Sequence, residues 1–317
     1  MANLVETREL TRRFGDVTAV DHVSFTVGPG EVFGLLGPNG AGKTTTVRML
    51  TGYLPPTGGT VVVAGHDLSR EPTEARQHAA VVPEEANVYV DLTIWQNLML
   101  MAELHGVPRQ VWAERGRKLL ATFDLADRTG AKGRHLSKGL RQRLMLCMAL
   151  VTEPSILFLD EPTSGLDVQS ARLIRDLVAG LPKRGMAVFL TTHNMDEATQ
   201  LCDRVAILNR GKLVAIDTPA ALRARVASRA AVEITFAGPG LVADELSGLG
   251  VEAEIQPIPA GLRLTTSDPG RVAQEVCGRA TAKGIRVASV NTLAPTLEDV
   301  FVQLTESAGG PPEGERP

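Results

Sequence analysis

The sequence is poor in aromatic residues and has no strong excess of charge of either sign. Aromatic side chains make up 4% of the 317 residues, so few are available to stack on nucleic-acid bases. Lys and Arg number 33 and Asp and Glu 36, a formal net charge of -3, which gives no global field favouring nucleic acid or an anionic membrane surface. The composition therefore predicts a protein that does not bind nucleic acid.

Cysteines are few, and long hydrophobic runs are absent. Cys147, Cys202 and Cys277 are widely separated, without a CxxC pair or a His cluster, which favours a reducing compartment and no zinc site. The longest apolar run, residues 144–151, is far shorter than the ~20 residues of a membrane helix. The start of the sequence does not have the pattern of a secretory signal. If the protein works at a membrane, we expect another chain to span it.

Length and hydrophobic patterning predict one main domain of about 200 residues and a smaller second domain. Apolar runs bounded by Gly or Pro alternate with segments of helical period, which predicts an α/β fold with a largely parallel sheet. The predicted strands cover residues 31–36, 60–63, 79–82, 155–159, 187–191, 204–208 and 212–216.

The domain organisation predicted from these patterns has four parts. Residues 1–220 form the main domain, with a helical insertion at about 93–152 that opens on a capping box from Thr93 to Gln96. Residues 221–230 form a linker, and residues 231–305 show the order βαββαβ plus a terminal helix, which predicts a ferredoxin-like domain. Residues 306–317 are polar and rich in Gly and Pro, so we expect them to be disordered.

A glycine-rich segment follows the first predicted strand and opens a helix. It fits the pattern G-x-x-x-x-G-K-[ST], in which glycines let consecutive backbone N–H groups wrap around a polyphosphate at a helix N-terminus. Lys43 is predicted to pair with the β- and γ-phosphates and the Thr44 hydroxyl to ligate Mg²⁺. The predicted nucleotide-binding residues here are Gly37, Pro38, Asn39, Gly40, Ala41, Gly42, Lys43, Thr44 and Thr45.

Two carboxylates end the strand predicted at residues 155–159. Asp160 and Glu161 lie at its carboxyl end, where α/β proteins bind their ligands. Asp160 is predicted to hold Mg²⁺ through water, and Glu161 to polarise the water that attacks the γ-phosphate. By itself a strand ending in Asp-Glu indicates a solvated turn, but together with the phosphate loop it favours a nucleotide site.

Between these two motifs, the segment LSKGLRQ, residues 136–142, resembles the LSGGQ signature of ATP-binding cassette (ABC) ATPases. Downstream, residues 164–167 (SGLD) resemble the D-loop of that family and His193 its switch histidine, while Phe14 matches the aromatic residue that stacks on adenine. With the TLEDVF segment near its end, the chain resembles ATP-binding subunits of ABC-2 type exporters, in the drug-resistance group similar to daunorubicin exporters.

The resemblance implies a P-loop NTPase cassette with an antiparallel β subdomain and a helical subdomain, binding ATP and Mg²⁺. It implies head-to-tail pairing with a second ATPase subunit, in which Ser137 and Gly139 of one copy contact the γ-phosphate held by the other. It assigns Asp167 to the same nucleotide site and His193 to catalysis beside Glu161. It further implies ABC-2 type permease subunits as partners and a peripheral location on the cytoplasmic face of the cell membrane.

Two residues depart from the family pattern. Lys138 replaces a Gly of the signature and fits only if its side chain points away from the backbone approach, although its charge could favour ATP. Glu84 replaces the usual Gln after Pro83, and it is a candidate magnesium ligand that adds negative charge beside the phosphates. Residues 84–91 are the predicted docking surface for the permease.

The sequence is also compatible with other functions. A soluble ABC-type ATPase acting on ribosomes or DNA is disfavoured because the sequence has one cassette and no sustained heptads. The second domain could be a ligand sensor, but no charged or polar cluster marks a pocket in it, which favours a scaffold that holds two cassettes together. The transported compound, the direction of transport and the choice between homodimer and heterodimer are not determined by any residue.

Overall fold

The computed structural model describes residues 2–85, 87–182, 185–225, 230–246, 250, 252–293 and 295–308, and the chain divides into two compact units, Met1–Thr218 and Pro219–Pro317. The strands of the first unit are β1 (Val5–Phe14), β2 (Val17–Val27), β3 (Val32–Leu36), β4 (Gly58–Val63), β5 (His66–Asp67), β6 (Ala79–Val82), β7 (Ile156–Asp160), β8 (Ala187–Thr192), β9 (Arg204–Asn209) and β10 (Lys212–Asp217). Its helices are α1 (Lys43–Leu50), α2 (Pro72–Gln77), α3 (Ile94–Leu104), α4 (Arg109–Thr122), α5 (Lys138–Leu150), α6 (Val168–Ala179) and α7 (Met195–Leu201).

A six-stranded sheet of order β10-β9-β3-β8-β7-β6 forms the centre of the first unit. Its neighbouring strands are parallel except for β9 and β10. Strands β3, β7 and β8 are buried along their whole length, as expected for a parallel sheet covered on both faces, and this explains their continuous apolar runs. The predicted α/β class is confirmed.

A second, four-stranded antiparallel sheet of order β2-β1-β4-β5 packs on the first sheet. The rings of Phe25, Phe33 and Phe189 stack between the two sheets, with centroids 5.2 to 5.7 Å apart. Strands β1 and β2 were not among the strands predicted from apolar runs. Their pairing contains register shifts, and Glu9 and His22 have positive φ, so the alternation of inward and outward residues is interrupted.

Helices α3, α4 and α5 make up the helical segment between β6 and β7. The capping box is present, because Thr93 Oγ1 accepts from the Gln96 N–H at 3.1 Å and Gln96 Oε1 accepts from the Thr93 N–H at 2.9 Å. Helix α5 contributes to the core, with Leu144 and Met148 buried. Among the described helices, none combines the length and hydrophobicity needed to cross a bilayer.

The second unit contains α8 (Pro219–Arg225), β11 (Ala230–Phe236), β12 (Ala253–Ile258), β13 (Gly261–Thr266), α9 (Pro269–Ala282), β14 (Val287–Leu293) and α10 (Leu297–Ala308). Its antiparallel sheet has the order β12-β13-β11-β14, the strand order of the predicted ferredoxin-like fold. Helix α9 buries Val272, Val276 and Ala280 in the core of this unit.

Three predicted boundaries in this unit differ from the structure or lie outside it. Helix α8 occupies the first half of the predicted linker, and residues 226–229 lie outside the described residues. For the first helix of the predicted βαββαβ order, the structure has a 3₁₀ turn at Ala243–Leu246, and residues 247–249 lie outside the described residues. Helix α10 runs to Ala308, so the tail prediction is wrong for residues 306–308, where Glu and Ala favour helix before Gly309. Residues 309–317 are not described.

Candidate functional site

The predicted phosphate loop connects β3 to α1 at the carboxyl edge of the central sheet. Gly40 and Gly42 have φ of +81° and +105°, a region that side chains with a Cβ rarely adopt. A Cβ on Gly37 or Gly42 would collide with a backbone carbonyl oxygen of Leu208 or Ala19. Helix α1 has no side-chain cap, so its first N–H groups remain available to an anion.

Lys43 folds back along this loop and is 6% exposed. Its Nζ donates to the carbonyl oxygens of Gly37 at 2.7 Å and Pro38 at 3.2 Å. It also lies 3.2 Å from Glu161 Oε1, so the lysine of the loop and the carboxylate after β7 form a buried ion pair. Two motifs that are more than 100 positions apart in the sequence therefore meet in one site.

Asp160 and Glu161 are both buried at the end of β7. Asp160 Oδ1 accepts a hydrogen bond from Thr191 Oγ1 and lies 3.4 Å from Thr44 Oγ1. Thr191 Oγ1 also accepts from the Glu161 N–H at 3.1 Å, and Glu161 has a positive φ of 48°. Thr191 was missed in the sequence, although its position at the end of the neighbouring strand β8 was a signal that could have revealed it.

His193 lies on the other side of Glu161. Its Nδ1 is 2.8 Å from Glu161 Oε2, and its backbone N–H donates to the same oxygen at 3.3 Å. The His193 side chain is 55% exposed, whereas that of Glu161 is 9% exposed. One carboxylate thus contacts Lys43 through one oxygen and a solvent-accessible imidazole through the other, which is an arrangement suited to orienting a water molecule beside a phosphate.

The oxygen donors for a magnesium ion are grouped beside the loop. Thr44, Glu84 and Asp160 line one cleft of about 930 Å³, and Glu84 Oε1 accepts from Ser164 Oγ at 3.2 Å. Hydroxyl and carboxylate oxygens are the ligands that Mg²⁺ prefers, and it commonly takes only one or two from protein. No group of three His, Cys, Asp or Glu residues that could hold a metal occurs in the described ranges. The donor set therefore fits an ion whose shell is completed by phosphate and water.

The signature segment lies at the N-terminus of α5. Ser137 is exposed, and its Oγ accepts from the Leu140 N–H at 3.3 Å as the helix cap. Gly139 packs so closely on Ser170 of α6 that a Cβ would collide with its side chain. Among the described residues, no hydrogen bond or ion pair joins Ser137 or Gly139 to Lys43 or Glu161.

The Lys138 side chain extends away from the signature, and its ammonium occupies the space over Gly165 of the same chain. Gly165 has a positive φ of 64°, and a Cβ there would collide with Lys138 Nζ. The lysine that replaces a signature glycine is thus accommodated without entering the backbone approach at Ser137 and Gly139.

Asp167 and Phe14 lie in separate local structures. Asp167 caps α6 by accepting from the Ser170 N–H at 2.9 Å and the Ser170 hydroxyl at 2.7 Å, and these bonds lower the pKa of Asp167. Phe14 is 48% exposed, and the Arg12 guanidinium lies 4.6 Å from its ring centroid. Phe14 therefore presents a partly open aromatic ring at the end of β1.

The second unit contains a polar cavity that the sequence interpretation did not expect. It has a volume of about 360 Å³ and lies between the sheet and α10. Arg263 shares its walls with Glu254 and Glu298, so opposite charges line the same space. The expectation that no polar cluster marks a pocket in this unit was therefore wrong.

The chain is similar to known ATP-binding subunits in both sequence and structure. Residues 20–164 match a family model described as "ABC transporter". The chain is 37% identical over 301 residues to "Nod factor export ATP-binding protein I" of Burkholderia lata, covering 95% of this chain and 96% of that protein. It is 36% identical over 304 residues to "Daunorubicin/doxorubicin resistance ATP-binding protein DrrA" of Streptomyces peucetius, covering 95% and 92%.

A solved structure described as the "ATP binding subunit of ABC transporter" has a TM-score of 0.65 and 30% identity, covering 70% of this chain and 93% of that one. The two full-length matches extend through both units, because each covers more residues than the first unit contains.

Proposed function

This chain belongs to the ABC transporter family as an ATP-binding subunit with ATPase activity, and on that premise we propose that it energises export through separate permease subunits. The main observation behind the proposal is that Glu161 contacts both Lys43 and His193 at the end of the phosphate loop. Full-length similarity to proteins named for Nod factor export and for daunorubicin resistance supports the export assignment. A soluble ATPase acting on ribosomes or DNA receives no support from these relatives.

The geometry supports a proposed role for each site residue. A triphosphate in the loop competes with Glu161 for Lys43, because the Lys43 ammonium already lies 3.2 Å from that carboxylate. Binding would transfer the ammonium to the phosphates and leave Glu161 Oε1 available to accept a proton from water. His193 remains beside Oε2 and orients the carboxylate.

Thr44 and Asp160, with Glu84 as a further candidate, would hold Mg²⁺, which supplies charge neutralisation of the phosphate oxygens when bound. Thr191 binds both the Asp160 carboxylate and the Glu161 backbone N–H. One threonine therefore positions both the proposed metal ligand and the proposed catalytic base.

A second copy of the chain completes the site in this proposal. Ser137 is exposed at a helix N-terminus, which is suited to an anion, and no described contact links it to the phosphate loop of its own chain. We propose that it closes over the γ-phosphate held by the partner copy, with Gly139 allowing the close approach and Asp167 and Phe14 contributing to nucleotide binding.

Sedimentation of Glu161→Gln with ATP and Mg²⁺ tests this pairing. We expect the mass to double with nucleotide, and we expect Glu161→Gln combined with Ser137→Ala to stay monomeric while still binding ATP at its phosphate loop. A hydrolysis-deficient variant that remains monomeric with ATP in the presence of its permease would exclude the closed dimer.

The remaining assignments concern the membrane. We propose permeases of ABC-2 type as partners, docking on residues 84–91, and hence a peripheral location on the cytoplasmic face of the membrane. Tyr89 and Val90 in this segment are about half exposed, which supports a contact surface there. We also propose that the main domain ends at residue 220, that the second domain spans residues 231–305, and that this second domain acts as a scaffold. Co-purification of permease with the wild-type chain and with Tyr89→Ala tests the docking surface, and equal recovery would contradict it.

A further inference from the structure

Glu197 is a buried carboxylate that the proposed mechanism does not use. It lies on α7, four residues after His193, and is 1% exposed. Its Oε1 accepts a hydrogen bond from Thr163 Oγ1 at 2.7 Å. Its Oε2 is also buried, and it has no hydrogen-bond partner among the atoms of the described residues.

An acidic side chain in this position destabilises the fold unless something compensates for it. Asp and Glu are almost never fully buried without a partner, and an acceptor left unpaired in the interior loses its bonds to water. Burial and then the nearby Glu197 carboxylate raise the pKa of the Cys202 thiol, and this thiol is itself buried. A buried acceptor without a partner calls for an explanation, and a role in a functional geometry is one such explanation.

The partner of Glu197 shows which geometry it holds. Thr163 lies two residues after Glu161, and His193 lies just before the cap of α7. That cap is Asn194, whose Oδ1 accepts from the Glu197 N–H at 3.0 Å. The chain and the hydrogen bonds therefore form a closed ring that runs from Glu161 to Thr163, across to Glu197, back along α7 to His193, and from its Nδ1 to Glu161.

We propose that Glu197 is a positioning residue which, by holding Thr163 against α7, fixes the Glu161 carboxylate relative to the His193 imidazole. The inference rests on the proposed function, because it assumes that Glu161 and His193 act on bound ATP. A displacement of about 1 Å at a reacting group can lower a rate by about 100-fold, so a contact that does not touch the substrate can still control turnover.

Steady-state ATPase measurements on the full chain with its permease provide the first test. Thr163→Val and Glu197→Ala should each lower kcat by about 10- to 100-fold while KM for ATP changes by less than about 2-fold. Thr163→Ser and Glu197→Gln keep the donor and the acceptor, so they should retain kcat within about 3-fold. Because both contributions pass through one contact, the double variant Thr163→Val/Glu197→Ala should be no slower than the worse single variant.

Thr7→Val is the matched control. It also removes a threonine hydroxyl that is bonded within the first unit, to Phe25, but it lies in the antiparallel sheet. The positioning role would be overturned if Thr163→Val had the same kcat as this control. It would also be overturned if the KM of Thr163→Val rose in step with the fall in its kcat, or if the losses were additive in the double variant.

Histidine NMR without nucleotide separates this inference from the proposed function. The ring signal of His193, assigned by its loss in His193→Asn, should shift in Thr163→Val and stay in place in Thr7→Val. If wild type fails to hydrolyse ATP, the proposed function fails, while a shifted His193 signal still supports the ring of contacts. An unmoved signal in Thr163→Val refutes the positioning role whatever the ATPase result.

Discussion

The burial of the Lys43–Glu161 ion pair allows the loss of stability on replacing Lys43 to be estimated. Lys43 and Glu161 side chains are 6% and 9% exposed, so solvent screens their contact little. Removing one partner of a buried pair costs about 3–5 kcal/mol, because the other charge loses its counter-charge. Lys43→Met should therefore destabilise the chain by an amount in this range.

The cost should be smaller once Glu161 is neutral. In a Glu161→Gln background, Lys43→Met still loses the bonds from Lys43 to the carbonyls of Gly37 and Pro38, which is a loss of about 1–3 kcal/mol. The difference between the two backgrounds is a coupling free energy of about 2 kcal/mol. For a unit of this size that corresponds to roughly 4–8 °C in the midpoint of thermal unfolding.

Tryptophan fluorescence is a suitable assay, because the chain has two tryptophans and both, Trp95 and Trp112, are in the first unit. Thermal unfolding of the wild type, the two single variants and the double variant completes the cycle. Lys212→Met is the matched control, since Lys212 pairs with Asp21 at 3.5 Å while 71% exposed, and water screens that pair. Equal destabilisation by Lys43→Met in both backgrounds would refute the buried-pair reasoning.

Four further predictions concern single residues. Glu161→Gln should reduce ATP hydrolysis by at least about 100-fold while nucleotide binding is retained, and hydrolysis at the wild-type rate would remove Glu161 from its role as base. Ser137→Ala should abolish ATP-dependent dimerisation, seen by sedimentation, and cost about 1 kcal/mol as a lost helix cap; an intact dimer would contradict the proposed contact. Glu84→Gln should change the Mg²⁺ concentration required for half-maximal ATPase activity, and an unchanged requirement would dismiss Glu84 as a ligand. Ser170→Ala should raise the pKa of Asp167 toward its ordinary value, as followed by NMR. Because folding lowers the pKa of Asp167, the stabilisation from this cap is present above the unfolded-state pKa and is lost as the pH falls through the folded-state pKa.

The features predicted from the sequence share one property, which is that each is encoded within a few consecutive residues. The glycine spacing from Gly37 to Lys43 specifies a phosphate loop, because only glycine adopts the backbone angles and close approaches found there. The continuous apolar runs of β3, β7 and β8 specify buried parallel strands, because both faces of such a strand are covered and consecutive residues are therefore apolar. Strands β1 and β2 escaped prediction because they lack continuous apolar runs and because register shifts interrupt their alternation of inward and outward residues.

Contacts between distant segments were decided only by the tertiary structure. The sequence alone indicated that Lys43, Glu161 and His193 belong to one nucleotide site, but their pairing depends on how β3, β7 and β8 align at one sheet edge. The position of Thr191 at the end of β8 could be read from the sequence, but its bond to Asp160 could not. The contact between Thr163 and Glu197 has no local signal, since a threonine hydroxyl acquires a partner only when folding brings another strand or helix to it. Local sequence determines backbone conformation and burial, whereas the neighbours of a polar side chain are set by packing over the whole unit.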